Sequence, residues 1–428
     1  MTRGERGGRD ARRSGGAPDG REGRRRIIVA GAGIGGLTAA LCLARTGNEV
    51  TVLERAAEPR ESGAGILLMN NGLAVLDGLG FGAELRAAGN RVDAATLHGA
   101  DGRPLTAIAV PDRGPGLDHA LMLRRSALHG VLLDAARRQR GLGLRFGAPV
   151  VAGHPSGRVT AEIAGVRETF TADLVVAADG VRSVLRGHGR FGARFRDLRA
   201  LSIRGMVPVE TPALTGLDEY WSPAGVFGGA PMGDGSTYFF TSATKRPLPH
   251  AVGARDLAAF RAVWRQALPT VAPVLEHVRE FGDLYVTGIA RVDCERWVDG
   301  RLVLLGDAAH AMPPNLGQGG SSAIIDGAVL AHELAADRPL AEALARYDAR
   351  RRPVVRALQD KVGTLFRLTE APPPGMSRVY EAAVRLASRV PRSGGGEALL
   401  QEDPAWLHAQ AASMSDARLP KEARDGTA

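Results

Sequence analysis

The run Arg26-Ile-Ile-Val-Ala30 ends on Gly31-Ala-Gly33-Ile-Gly35-Gly36, and Leu37 to Ala44 continue as an apolar stretch of helical character. A β-rich run, a G-x-G-x-x-G turn and a helix, in that order, constrain the fold of this chain more than any other feature. The first glycine permits the tight turn, the second lets the backbone approach a diphosphate, and the third lets the helix pack closely on the strand. The helix N-terminus then presents free N–H groups and the positive end of its dipole to phosphate. Glu49 to Leu53 reads as a second strand, so the opening is a βαβ unit of a parallel sheet. Glu54 lies 18 residues beyond Gly36, at the end of that strand, where a carboxylate accepts hydrogen bonds from ribose hydroxyls. An acid there favours an adenosine without a 2′-phosphate, hence FAD or NAD rather than NADP in this slot.

Composition narrows the class. With 428 residues, 44% hydrophobic and 24% charged, the chain is long enough for roughly two to three domains and is neither disordered throughout nor a repeat of collagen type. Cys42 and Cys294 stand far apart, so neither a disulfide framework nor a cysteine-rich metal site is available, and thiol usage of this kind fits a reducing cytoplasm. No histidine other than His310 has a carboxylate at ligand spacing, and no metal site is expected. The net charge of +9 invites a nucleic-acid reading, but residues 1–26 hold nine arginines against four acids and account for most of that surplus. This Arg/Gly-rich leader reads as a disordered arm, with no nucleic-acid partner expected for the body. Ile27 to Ala44 carries no charge, yet its four glycines and its strand–turn–helix order argue against a membrane span.

The expected organisation is an arm at 1–25, a first dinucleotide-binding segment at 26–190, a mostly antiparallel β insertion at 191–290, a second sheet segment with C-terminal helices at 291–390, and a loose tail at 391–428. Asp173 to Ala177 and Arg301 to Leu305 are apolar runs closing on small acidic turns, as strands of the parallel sheet do. Leu121 to Arg138 reads as one helix. Within the insertion, Leu201 to Val209, Thr237 to Thr241 and Leu284 to Ile289 are strands between Gly/Pro turns, with a helix over Asp256 to Ala267. A long helix from Leu340 to about Leu368 is ended by Pro372-Pro373-Pro374-Gly375.

Two further motifs follow buried strands: Asp173-Leu-Val-Val-Ala-Ala-Asp179-Gly180-Val-Arg182-Ser183, and Gly306-Asp307-Ala-Ala-His310-Ala-Met-Pro313-Pro314-Asn-Leu-Gly317-Gln-Gly319-Gly320. With all three motifs in this order, the sequence resembles the single-component FAD-dependent aromatic hydroxylases, the class A flavoprotein monooxygenases of p-hydroxybenzoate hydroxylase type. The resemblance spans roughly Arg26 to Arg352. It implies that Gly31, Gly33 and Gly36 hold the FAD diphosphate, with Glu54 on the ribose and Arg55 near the adenine. It implies Asp179 and Gly180 beside FAD and the nicotinamide route, Asp307 on the ribityl side, and Arg125 against the flavin, with Arg124 as the adjacent competitor. The loop containing Pro314, Gly317 and Gly319 would lie along the ring, and the helix near Ser321 would aim its positive end at the flavin N1–C2=O edge. Departures from the family pattern are Ser321-Ser322, where an Asn is frequent, and Ile325-Asp326, where a Glu-Asp pair is frequent.

The implied chemistry is reduction of FAD by transiently docked NADH or NADPH, reaction with O2 to a C4a-hydroperoxide, and transfer of one oxygen to a small aromatic or polyketide-like substrate. The cofactor carries that chemistry, and the protein's tasks are to exclude water and orient the substrate. Period-two alternation in Thr237-Tyr-Phe-Phe-Thr241 puts Tyr238 and Phe240 on one face; together with Phe227 they are candidate pocket walls, with ordinary sheet core as the alternative. Arg204 could meet substrate or nicotinamide, or stand as a solvated strand arginine. His310 could shuttle a proton, but reads first as a hydrogen-bonding residue of its turn. The competing functions are a non-oxygenating FAD dehydrogenase or reductase of the same fold, and a flavin-binding partner protein whose arm recruits nucleic acid. Substrate identity and oligomeric state are left open.

Overall fold

The computed structural model describes residues 24–59, 64–370, 376–387 and 401–416. Most of the Arg/Gly-rich arm and the Pro372–Gly375 stop lie outside the described residues. The protein is an α/β molecule built on a six-stranded sheet in the order Val298–Asp299, Leu302–Leu304, Leu174–Ala177, Arg26–Ala30, Glu49–Leu53, Leu142–Arg145. Every neighbouring pair is parallel except the short hairpin of the first two. The buried strands are continuous apolar runs because helices cover the sheet, leaving no face for alternating polar residues. The uncharged stretch from Ile27 to Ala44 is thus divided between a strand and the helix Ile34–Arg45. Among the described residues no helix is long and apolar enough to cross a membrane.

The helix Ile34–Arg45 lies against Gly319–Ala335, and the two approach closely because small residues meet: a Cβ on Gly327 would sit 2.9 Å from the Ala39 Cα. This contact joins the two glycine-rich motifs, which stand almost 300 residues apart in the chain, into one unit.

A seven-stranded sheet forms the second layer, in the order Tyr285–Asp293, Arg194–Val207, Thr237–Ala243, Gly225–Pro231, Leu217–Ser222, Ala94–His98, Pro104–Ala109. It is antiparallel apart from the pairing of Leu217–Ser222 with Ala94–His98. Its last two strands come from the segment expected to belong wholly to the dinucleotide-binding part, so the sheet is not confined to 191–290. One face is closed by Leu257–Ala267, whose N-cap Asp256 accepts a hydrogen bond from the Ala259 N–H, and by the short helices that follow.

Two other expectations are corrected. Leu121 to Arg138 is not one helix: Ala120–Arg124 is a strand between Gly65–Leu68 and Gly89–Val92, and the helix begins at Arg125. Its run Ala-Leu-Met-Leu is buried on both faces, a pattern that periodicity cannot tell from a buried helix. Nor is the tail loose throughout. Pro404–Asp416 is a helix that packs against Asn70–Gly78, with Leu407 and Ala411 fully buried, and Gly78 is required there because a Cβ would sit 2.4 Å from the His408 carbonyl oxygen. Truncation of Leu407 to Ala should therefore lower the unfolding free energy by about 2–5 kcal/mol, the range for a buried leucine. A chemical-denaturation midpoint unchanged by L407A would show that this helix contributes nothing to the fold.

Candidate active site

The glycine-rich turn has the geometry a diphosphate cradle needs. Gly31 has φ +106°, and a Cβ there would lie 2.4 Å from the Ala178 carbonyl oxygen; on Gly36 it would lie 2.0 Å from the Gly31 carbonyl oxygen. At Gly33, which caps the helix without a side-chain hydrogen bond, nothing lies within 4 Å of the position a Cβ would take. Turn, strand and helix are pressed together behind the loop while its front is open, with the first-turn N–H groups facing outward. Glu54 braces the turn: its Oε2 accepts from the Ala32 N–H (2.7 Å) and its Oε1 from the Ala56 N–H (2.9 Å). His129 Nε2 lies 2.8 Å from the Ala32 carbonyl oxygen, and Arg55 is exposed beside Glu54.

Asp179 Oδ2 accepts from the N–H groups of Val184 (2.8 Å) and Leu185 (3.1 Å), holding the turn that follows, while its buried Oδ1 has no partner. Gly180 has φ +81° with open space at its Cβ position. Arg186 ties this turn to the next motif through the carbonyls of Val181 and Ala308 (both 2.9 Å). Asp307 is exposed at the end of a buried strand, which leaves its oxygens open to accept from hydroxyl groups. Arg125 faces it. Surrounding protein displaces enough water to lower the pKa of the Arg125 guanidinium, the Asp307 charge opposes that shift, and Arg204 adds to it. Arg124, the adjacent competitor, is committed elsewhere by an ion pair to Asp234 at 2.7 Å.

The proline–glycine loop leads into the helix Gly319–Ala335, which has no side-chain cap, so its first amides point into the same space. Pro314 is exposed, Gly317 has φ +62°, and Gly319 has open space at its Cβ position. Beneath the loop is a fully buried network that sequence reasoning missed. Asp326 Oδ2 accepts from the Gly306 N–H (3.1 Å) and lies 2.6 Å from His310 Nε2, and its Oδ1 accepts from Arg351 Nε (2.8 Å). Burial alone would raise the Asp326 pKa, but the charges of His310 and Arg351 hold it below the ordinary value. Arg351 also donates to Gln401 Oε1 (2.9 Å), and Gln401 Nε2 donates to Gln318 Oε1 (3.1 Å). His310 is therefore a structural member of this network, 1% exposed, rather than a residue standing in the cleft.

Above the loop lies one face of the seven-stranded sheet. Directly opposed residues share a face, and the register aligns Glu219, Gly228, Phe240, Arg204 and Tyr285 in a single row across five strands. Tyr238 and Met206 form the next row on this face, and Tyr238 packs over Gly65 of the small sheet. Arg204 sits over the Tyr285 ring (5.0 Å to centroid) and donates to the Thr287 hydroxyl, while its buried Nε has no partner. Phe227 is not among these residues. Its register partner is Thr241, one residue away from Phe240, so it points to the opposite face, stacked at 5.6 Å on Phe239 and edge-on at 5.3 Å to Trp264 in the core. Tyr238 and Phe240 thus share the face above the loop, joined there by Tyr285 and Glu219, for which no local motif exists.

The fold and the three turns together are those of a flavoprotein monooxygenase, and the comparisons agree. Residues 24–362 match the FAD binding domain family model, and the chain belongs to that family of FAD-dependent monooxygenases. It is 35% identical over 338 residues to a 2-heptyl-3-hydroxy-4(1H)-quinolone synthase of Mycobacteroides abscessus, covering 77% of this chain and 87% of that protein. It is 32% identical over 419 residues to 3-amino-4-hydroxybenzoate 2-monooxygenase of Streptomyces cremeus, covering 92% and 97%. The tetrameric form of 2-methyl-3-hydroxypyridine-5-carboxylic acid oxygenase superposes with a TM-score of 0.73 at 26% identity, covering 89% of this chain and 97% of that one. The cofactor is FAD, and the open cradle, the uncapped helix starts and the unpartnered Asp179 Oδ1 fit it.

Two outcomes follow. Asp307→Ala should lower the visible flavin absorbance carried per mole of purified protein while leaving the fold intact by circular dichroism. Arg351→Met leaves the Asp326 carboxylate buried and half-paired, so it should cost about 3–5 kcal/mol of stability, read from denaturant unfolding of the FAD-loaded protein.

Proposed function

We propose that this protein is an NAD(P)H-consuming monooxygenase that places one oxygen atom from O2 on a small, nitrogen-bearing aromatic substrate. The observation that carries this reading is the meeting of the FAD cradle and the polar row of the seven-stranded sheet, with Asp307, Arg204 and Tyr285 all close enough to act on the Arg125 guanidinium. Bound FAD supplies the redox chemistry, accepting reducing equivalents from NAD(P)H and activating O2. Asp307 and the loop from Pro314 to Gly319 would hold and orient it, with Arg125 alongside.

The sheet face would hold the substrate. Tyr238 and Phe240 offer ring faces 6.1 Å apart, and Arg204 offers an unpartnered donor for an oxygen on the substrate ring. Closure of the sheet over the loop excludes water, which keeps the activated oxygen for the substrate rather than for release as peroxide. Nitrogen in the substrate is supported by the names of the relatives: a quinolone, an aminohydroxybenzoate and a hydroxypyridine each carry nitrogen in or on an aromatic ring.

Stimulated oxygen uptake coupled to NAD(P)H oxidation, with a product heavier by one oxygen, tests this across hydroxylated quinolines, aminophenols and hydroxypyridines. NAD(P)H oxidation that proceeds without oxygen transfer to any of them would instead identify a dehydrogenase or reductase.

A further inference from the structure

We infer that Glu219 and Glu370 form a recognition wall at the far end of the substrate face, which selects a substrate presenting a ring N–H or O–H donor to it. This deepens the reading of that face as the substrate cavity and rests on it.

The two acids arrive from unrelated elements. Glu219 is on the strand Leu217–Ser222, in the row that continues through Phe240 to Arg204. Glu370 is the last residue of the long helix Leu340–Glu370, which runs in from the dinucleotide-binding layer. Both carboxyls are held by neighbouring side chains of the sheet. Glu219 Oε1 accepts from the Trp221 indole N–H at 2.7 Å, and Glu370 Oε2 accepts from the Ser242 hydroxyl. Glu370, only 3% exposed, is served by the Ser242 and Thr244 side chains, whereas Trp221 is the one side chain among the described residues that bonds the Glu219 carboxyl.

The pair has no ion-pair partner of its own among the described residues. The charged groups around it are Lys245, whose ammonium bonds the Pro223 carbonyl oxygen at 3.2 Å, and Arg204, three strands away along the row from Glu219 and already directed to Thr287. The flavin loop reaches the same corner: Asn315 Nδ2 approaches the Thr369 hydroxyl at 3.4 Å, and Asn315 Oδ1 is buried without a partner. The buried unpartnered atom at this end, Asn315 Oδ1, is an acceptor, and the two carboxyls beside it are acceptors as well, whereas the unpartnered atom at the other end, Arg204 Nε, is a donor. A flat ring lying along Phe240 would thus be read at both ends, with an oxygen toward Arg204 and an N–H or O–H toward the two carboxyls.

Burial pushes both carboxyls up to about 7, Glu370's charge adding to the shift at Glu219. Both are therefore largely neutral in mildly acidic solution and ionised in mildly basic solution. An ionised acceptor binds a donor more strongly than a neutral one.

The test uses the FAD-loaded full-length protein, with binding followed by the change in flavin absorbance, so no turnover is needed. The probes are 4(1H)-quinolone and its N-methyl analogue, which differ in the ring N–H. The N–H form should bind on the order of tenfold tighter, the worth of one charge-assisted hydrogen bond to a buried acceptor, and the ratio should grow from about pH 6 to about pH 8 as the carboxyls ionise. In the double variant Glu219→Gln and Glu370→Gln the ratio should shrink toward unity and lose its pH dependence. The single variants, with flavin content and thermal melting as checks on folding, serve if the double variant does not fold. Equal affinity of the wild type for both probes, no saturable binding of the N–H probe, or an undiminished ratio in the variants would each overturn the inference. Failure of oxygen transfer with the N–H preference intact would count against the monooxygenase reading alone.

Discussion

Asp326 is the interaction on which the architecture of the flavin side depends. A carboxylate without solvent exposure pays a desolvation cost of several kcal/mol unless its lone pairs are filled, and here they are filled from three directions. The Gly306 N–H belongs to the turn that presents Asp307, His310 belongs to the short helix after it, and Arg351 belongs to the long C-terminal helix. Because all three must be present together, the G-D turn has one position relative to the helix that carries the loop glycines. The network then runs outward through Gln401 to Gln318, the N-cap of that same helix, so a segment near the C-terminus participates in shaping the cofactor site.

The second constraint is the division of labour between the two faces of the seven-stranded sheet. One face is largely apolar: Phe227 lies 5.6 Å from Phe239 and 5.3 Å from Trp264, in the core that makes the layer stable. That leaves the other face free to carry Arg204, Glu219 and Tyr285, which would be costly in a core. The polar row can face the flavin loop because the opposite side has already buried enough apolar surface to hold the sheet together. The long helix Leu340–Glu370 links the two layers, with Arg351 in the Asp326 network and Glu370 against Ser242 of the sheet.

Much of this was legible without coordinates wherever a motif is local. The turn Gly31–Gly36, the strand ending at Glu54, and the acids Asp179 and Asp307 after buried runs all stand where strand–turn–helix logic puts them, because neighbouring residues suffice to specify such turns. Reading failed where the deciding partner is distant. Ala120–Arg124 and the helix after it form one apolar run in sequence, and only pairing with two other strands separates them. Phe227 and Phe240 look alike as aromatic strand residues, and only the register, set by hydrogen bonds across two strands, sends them to opposite faces. Pro404–Asp416 is unremarkable in composition and is helical in place against Asn70–Gly78.

By itself, the sequence determined that an adenine dinucleotide cradle opens the chain, that two further turns complete a flavin site, and that the strands between belong to a separate sheet. Those are properties of residues within a few positions of one another. Only the tertiary structure decided which charged groups share a space: Asp326 with Arg351, Arg125 with Asp307, Glu219 with Glu370. Such pairings join residues 25 to 182 positions apart in the chain, and no local rule encodes them, since they exist only once two layers have packed and water has been removed from between them.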